Sequence, residues 1–285
     1  MTAFKFNFSR YEENETEVEC KETIEWFECE DIVPNKQIMD LDILAPHAKM
    51  YICGDIEIGH VAISDALSNI DKNGIKNVVD LAEKGHSDLV TGKYEGGLKI
   101  WECTDDLIQY LAENKEDSQF QNQQVLDLGC GPGILGIYAF LKGAHVTFQD
   151  YNKEVLEYVT IPNVLLNIEE EERESEIKQC KFYSGDWESF NKTLEDTVKY
   201  DIILTSETIY NESNYDKLID IFMTRLKEIG IVYVAAKTYY FGVGGGIRQF
   251  ENKIKSNCHL KHEVVWVSKG GIKREILKIT KNKYL

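Results

Sequence analysis

Four carboxylates stand at the ends of short apolar runs in this 285-residue chain: Asp127, Asp150, Asp186 and Glu207. The first belongs to Val125-Leu-Asp-Leu-Gly-Cys-Gly-Pro-Gly-Ile134, which reads as a buried strand breaking into a glycine-rich turn and then a helix. Gly129, Gly131 and Gly133 carry no Cβ, so the backbone there can turn tightly and come close to a ligand. A helix starting near Ile134 would aim its free N–H groups at that ligand. Asp150 follows about 20 residues later, at the end of a second strand, where a carboxylate can receive two ribose hydroxyls. It could also cap a helix starting at Lys153, but its spacing from Asp127 favours the ribose. Together these residues describe a site for a nucleoside cofactor.

The spacing narrows the choice of nucleoside. A dinucleotide site reads G-x-G-x-x-G and holds a pyrophosphate at the helix N-terminus. Here the run is G-x-G-x-G, preceded by Asp127, whose charge would repel a pyrophosphate but suits an amino-acid tail and a sulfonium. The pattern resembles the first motif of the class I methyltransferases that use S-adenosylmethionine. An ordinary glycine turn is the plain alternative, and the strand, turn, helix, strand and Asp in succession speak against it.

Other chemistry-bearing residues follow the remaining strands. Gly185-Asp186-Trp187 suits adenine, with a carboxylate for the exocyclic amine and an indole wall; core packing is the other reading of Trp187. Gln149 and Tyr151 flank Asp150. Thr205-Ser206-Glu207-Thr-Ile-Tyr-Asn211 would orient an acceptor beside the transferable methyl. Lys237-Thr-Tyr-Tyr-Phe-Gly-Val-Gly-Gly-Gly246 reads as a flexible wall for a peptide or ring, or simply as a loop that needs glycine to turn. Upstream, Ile100-Trp101-Glu102-Cys103-Thr104 precedes a helix and could fold over the cofactor, where an aromatic face attracts a sulfonium. Taken alone, Trp101 would pack in a core.

The elements needed to position these groups are legible from residue 88 onward, where strands and helices alternate as in a parallel sheet covered on both faces. Strands are expected at 125–128, 145–149, 181–184, 200–205 and 231–236. Helices are expected at 104–111 (Thr104 as N-cap), 134–142, 153–167 (interrupted by Pro162), 215–227 and 246–256. The stretches 259–268 and 272–280 read as an antiparallel hairpin around Gly270-Gly271. The alternation makes the fold class α/β over 88–285, and five parallel strands closed by a C-terminal hairpin resemble the Rossmann-like class I methyltransferase domain, a likeness that implies a seven-stranded mostly parallel sheet. Residues 1–87 read as a partly ordered N-terminal extension, its aromatics Phe4, Phe6, Phe8, Tyr11, Trp26 and Phe27 given no binding role. A low helical periodicity over 63–81 includes Val78, Val79 and Leu81.

Composition sets further bounds. The net charge of −17, from 32 basic and 49 acidic residues, argues against direct nucleic-acid binding and for a basic protein partner, or simply for solubility. Seven cysteines show no C-x-x-C pair, no zinc spacing and no disulfide framework, as expected of a reducing compartment. No signal peptide, membrane span or metal site is expected.

Six motifs together carry a more specific likeness: Lys99–Leu107, Asp127–Leu135, Phe148–Asn152, Gly185–Trp187, Thr205–Tyr210 and Ala236–Gly246. They resemble the eukaryotic histidine protein methyltransferases of the seven-strand, family-16 group, over residues 88–280. The resemblance implies S-adenosyl-L-methionine as cofactor and S-adenosyl-L-homocysteine as product. It also implies methylation of a histidine ring nitrogen in the third protein of the large ribosomal subunit, in cytosol and nucleus, by a monomer. Cofactor contacts would fall on Ile100, Trp101, Glu102, Cys103, Thr104, Gly129, Gln149, Asp150, Tyr151, Gly185, Asp186, Trp187 and Ser206, with Asp127 and Gly131 added from the glycine turn. Glu207 is the candidate to hold the acceptor ring, with Asn211 and Tyr239 as orienting partners. Three alternatives stay open: a protein-lysine methyltransferase acting on a translation factor or chaperone, a nicotinamide oxidoreductase, and a non-catalytic interaction protein.

Overall fold

The computed structural model describes residues 26–75, 90–114 and 119–282. Its strands are β1 (Glu30–Asp31), β2 (Lys49–Cys53), β3 (Ile56–His60), β4 (Gln124–Leu128), β5 (His145–Asp150), β6 (Cys180–Ser184), β7 (Tyr200–Ser206), β8 (Leu226–Lys237), β9 (Leu260–Val267) and β10 (Arg274–Lys281). All but β2 and β3 join one sheet in the order β1-β6-β5-β4-β7-β8-β10-β9. The five strands from β6 to β8 run parallel, while β10 and β9 close the far side antiparallel.

Period-two alternation explains how one sheet is buried on both faces. Along β8, Tyr233 and Ala235 enter one apolar cluster while Val232, Val234 and Ala236 enter another. Ile203 and Leu204 of β7 divide between the same two clusters. Helices Glu102–Glu113 and Ile134–Leu141 cover the first face; Tyr215–Arg225 and Ile247–Lys255 cover the second. The chain leaves β4 toward β5 and β6, then returns to the other flank of β4 as β7. That reversal opens a crevice above the carboxyl end of β4.

The seven expected strands are all present, and β1 adds an eighth, pairing antiparallel with β6 through Glu30↔Ser184 and Asp31↔Tyr183. Two acidic residues have no strand signature; only the edge of β6 makes them one. The described part of the N-terminal extension packs on the sheet domain rather than trailing from it. Val61 N–H donates to Asn163 Oδ1 (2.7 Å), Gly59 N–H to Asn167 Oδ1 (2.9 Å) and Tyr51 Oη–H to Asp105 (2.6 Å). Val61, Ala66 and Ile70 share an apolar cluster with Tyr94, Val155 and Val159. The expected boundary at 87/88, the aromatics Phe4, Phe6, Phe8 and Tyr11, and Val78, Val79 and Leu81 lie outside the described residues.

Three local differences have physical causes. The helix expected from Thr104 begins at Glu102 with Trp101 as N-cap, because the Thr104 hydroxyl is engaged with Ser206 Oγ (3.3 Å). The helix through 153–166 continues past Pro162 by way of a π-helical turn at Leu156–Thr160. The carbonyl that a proline at 162 cannot serve, Tyr158, falls inside that wider turn. Strand β8 begins at Leu226 rather than 231, paired with Tyr200 across a register shift.

Phe148 of β5 is fully buried, stacks on Phe182 (5.3 Å, 10° between planes) and covers Gly136 of the helix Ile134–Leu141. A Cβ on Gly136 would lie 2.2 Å from the Phe148 ring, which has no room to retreat. Gly136→Ala is expected to lower stability by about 1–3 kcal/mol in urea denaturation. Replacing Phe148 by Leu in the same chain should recover part of that loss.

Candidate active site

The crevice at the carboxyl ends of β6, β5, β4 and β7 is a cavity walled by the turns that follow them. Along the sheet its wall passes from Gly185–Trp187 to Asp150–Tyr151, then to the glycine turn, then to Ser206–Thr208. Gly129, Gly131 and Gly133 all hold left-handed backbone (φ 67°, 50° and 78°). A side chain at Gly129 would strike Thr208 Cγ2 at 2.6 Å, and one at Gly131 would meet the Gly97 carbonyl oxygen at 3.2 Å. Gly129 and Gly131 line the cavity with bare backbone, and the space a Cβ would take is already filled by Thr208 and Gly97.

Two buried carboxylates brace this turn. Asp127 Oδ2 accepts from Gly136 N–H (2.8 Å), and Asp150 Oδ2 accepts from Gly131 N–H (2.8 Å). Asp150 Oδ1 also accepts from Asn152 N–H (3.0 Å), and Asn152, not Asp150, occupies the cap position before Lys153. Burial pushes the Asp127 carboxyl up to about 8 and that of Asp150 up to about 6, against backbone hydrogen bonds that pull both down. Both residues line the cavity.

At the β6 side, Gln149 does not line the cavity. It is fully buried, donating to the Gly185 carbonyl (2.8 Å) and accepting from Trp187 Nε1–H (2.9 Å), so it sets the position of the next strand's turn. Asp186 is the N-cap of the helix Trp187–Thr193 through Glu188 N–H (2.9 Å) and pairs with Lys217 Nζ (2.5 Å). Tyr151 lines the cavity and donates to the Gly92 carbonyl (2.9 Å).

The segment before the first helix lies over the glycine turn. Ile100, Trp101 and Thr104 line the cavity, and Trp101 Nε1–H donates to the Gly96 carbonyl (3.2 Å). Glu102 and Cys103 do not. The Glu102 carboxylate pairs with Lys237 Nζ (3.2 Å), and Cys103 is buried behind the wall, its thiol pushed well up by burial and by Glu207.

Glu207 lies in the left-handed region (φ 59°), rare for a residue with a Cβ, and is buried in the cavity wall. Its Oε2 accepts from Tyr240 Oη–H (2.5 Å), while Oε1 stands 3.5 Å from Lys237 Nζ and is buried without a hydrogen bond. The two expected partners are elsewhere. Asn211 caps the turn Glu212–Asn214 through Ser213 N–H (3.0 Å), and Tyr239 is a solvent-exposed ring edge-on to Phe241 (5.0 Å). Tyr240 takes the place expected of Tyr239, because the chain leaves β8 at Lys237 and strand alternation no longer sets which side chain points inward.

Among the cavity residues to which the sequence reading gave no binding role are Trp26, Glu95 and Tyr210. Tyr210 Oη–H donates to Glu95, joining the covering segment to the loop after β7. Burial raises the Glu95 carboxyl above its usual range. Tyr210 sits in the strand-end run already singled out, but nothing in sequence pairs it with a residue 115 positions away.

A glycine turn at the strand-order reversal, carboxylates at the ends of β4 and β5, and a sheet closed by an antiparallel pair define a class I S-adenosylmethionine-dependent methyltransferase. The bare-backbone cradle and its two carboxylates fit an adenosyl group with an amino-acid tail. A family-16 methyltransferase model, described as lysine methyltransferase, matches residues 88–242. Histidine protein methyltransferase 1 homolog of Dictyostelium discoideum is 46% identical over 196 residues, 68% of this chain and 60% of its own length. Histidine protein methyltransferase 1 of Schizosaccharomyces pombe is 30% identical over 238 residues, 70% of this chain and 67% of its own. The crystal structure of SMU.776 complexed with SAH superposes with a TM-score of 0.52 at 14% identity, over 84% of this chain and 57% of that one, a likeness of fold alone. The chain belongs to the histidine protein methyltransferases of the family-16 group.

The raised Asp127 carboxyl has a pH signature. A group protonated in the fold up to about 8, but only to its ordinary 3.8 when unfolded, contributes stability below pH 4 that is lost as pH climbs through 8. Unliganded Asp127→Asn, which keeps an acceptor for Gly136, should show a shallower fall in Tm between pH 5 and 9 than the wild type. Parallel curves would mean that Asp127 does not hold its proton.

Proposed function

We propose that this chain methylates a ring nitrogen of a histidine in a basic protein, the third protein of the large ribosomal subunit. The observation that carries the reading is the Glu207 carboxylate, buried in the wall of the cavity and held there by Tyr240 and Lys237. The names of the relatives support histidine as the acceptor, and the net charge of −17 supports a basic protein met before it is covered by RNA.

In this reading the adenine end lies at Gly185–Trp187, with Gln149 holding that turn in place. Asp150 and Tyr151 form the ribose wall. Asp127, Gly129 and Gly131 face the amino-acid tail, and Ile100, Trp101, Thr104 and Ser206 cover the reacting end. Bound S-adenosylmethionine supplies a sulfonium-activated methyl. Histidine near its ordinary pKa of about 6.5 is largely neutral at cytosolic pH and offers one lone pair. The Glu207 carboxylate accepts the N–H of the other ring nitrogen, which selects the tautomer, points the lone pair at the methyl and stabilises the positive charge that arrives on the ring. Tyr240 and Lys237 hold the carboxylate for that task.

Transfer of isotope-labelled methyl to purified free ribosomal proteins, followed by amino-acid analysis, tests the assignment. Methylhistidine in one large-subunit protein is expected. Methyllysine would transfer the chain to the activity named by the family model's description. Glu207→Gln should lower turnover by roughly a hundredfold or more while leaving S-adenosylhomocysteine affinity within a few-fold. Full turnover in that variant would remove Glu207 from the mechanism.

A further inference from the structure

The family match begins at residue 88, yet Trp26 lines the cavity. It opens a six-residue strap, Trp26–Asp31, which lies along β6 and the turn after it. The strap is fastened at several points. Phe27 O accepts from Asp186 N–H (2.8 Å), Cys29 N–H donates to Ser189 Oγ (2.9 Å), and the last two residues pair as β1. Gly185 has no room for a side chain on account of this strap: a Cβ there would lie 2.4 Å from the Glu28 carbonyl oxygen. The first residue of the Gly-Asp-Trp run is thus small because another part of the chain rests on it.

Trp26 is held from two further directions. Lys217 Nζ sits 3.7 Å from the centroid of its ring and 2.5 Å from Asp186 Oδ1, so one ammonium joins the indole face to the carboxylate after β6. Tyr151 meets the indole edge-on (6.0 Å, 85°) and carries Phe27 stacked on its own ring (4.9 Å). Both Asp186 and Tyr151 are cavity residues. The wall order β6-β5-β4-β7 puts Trp26 at the end farthest from Glu207, beside Asp186 and Trp187.

We propose that Trp26 is a cofactor-binding residue whose ring covers the purine of S-adenosylmethionine, and that Lys217 is a positioning residue that clamps it there. The proposal rests on the reading of this cavity as the S-adenosylmethionine site. A flat aromatic base gains from an aromatic side chain laid against it, and the gain does not need a hydrogen bond. The Lys217 ammonium also accounts for the Asp186 carboxylate, leaving the neutral purine to be bound largely by its faces.

Isothermal titration of the full chain with S-adenosylhomocysteine, and separately with 5′-deoxy-5′-methylthioadenosine, tests this. Trp26→Ala should weaken both ligands by roughly ten- to a hundredfold, and Trp26→Phe should restore most of the affinity. Lys217→Met should weaken both to a smaller degree, with Lys217→Arg restoring them. At saturating S-adenosylmethionine kcat should stay near the wild-type value while KM for the cofactor rises. Trp26→Leu guards against a folding defect, since it keeps apolar bulk without a ring and should weaken binding at an unchanged Tm. Wild-type affinity for both ligands in a folded Trp26→Ala chain would overturn the proposal. So would weakening confined to S-adenosylhomocysteine, which would put Trp26 at the amino-acid tail. A wild-type chain that binds neither ligand would instead overturn the cofactor reading, and this proposal with it.

Discussion

The arrangement depends on backbone approaching a ligand where no Cβ fits. After β4 the chain must turn sharply, hold three residues in left-handed conformation and still enter a helix whose first turn packs against Phe148. Glycine makes the turn possible, but a permissive backbone does not hold itself in place. Asp127 and Asp150 do that, each accepting one backbone N–H of the turn or of the helix that follows it. The cost is two carboxylates removed from water, visible in their raised proton affinities. Neighbouring walls are fitted to the same turn, with Thr208 over Gly129, Gly97 over Gly131 and Thr160 over Gly133.

From that turn outward the cavity is assembled by long-range pairs. Glu95 meets Tyr210, Trp101 reaches Gly96, Thr104 reaches Ser206 and Trp26 sits between Lys217 and Tyr151. The covering segment and the N-terminal strap close opposite ends of one site. Side chains behind the cavity wall also set its shape, as Gln149 does for Gly185 and Trp187. After β7 the left-handed backbone at Glu207 is accompanied by Tyr240 and Lys237, which hold its carboxylate.

Much of this was legible in one dimension wherever chemistry and local geometry coincide. Ile100 and Ser206 came with the family likeness, whereas the strand–turn–helix around Asp127, the alternation of strands and helices, the closing hairpin and the cavity residues at the ends of β4, β5 and β6 follow from apolar period, glycine spacing and strand-end position. Each is a property of neighbouring residues, so a linear reading recovers it. The same logic explains why Glu102, Cys103 and Gln149 sit in the right motifs but not in the cavity wall. A motif says which turn is near the ligand, whereas the rotation of each element decides which side chains face it.

Tertiary structure alone decided what depends on distant contact. Two acidic residues become β1 because the edge of β6 has free backbone groups, a tryptophan in an unremarkable N-terminal run becomes a cavity wall because that strand delivers it, and Tyr240 displaces Tyr239 because alternation ends with β8. The amino-acid sequence determined the fold class and the nucleoside site, since both are set by short-range periodicity and backbone freedom. Which side chains complete that site was decided by packing between segments as far apart in sequence as Trp26 and Lys217, and no local pattern encodes that separation.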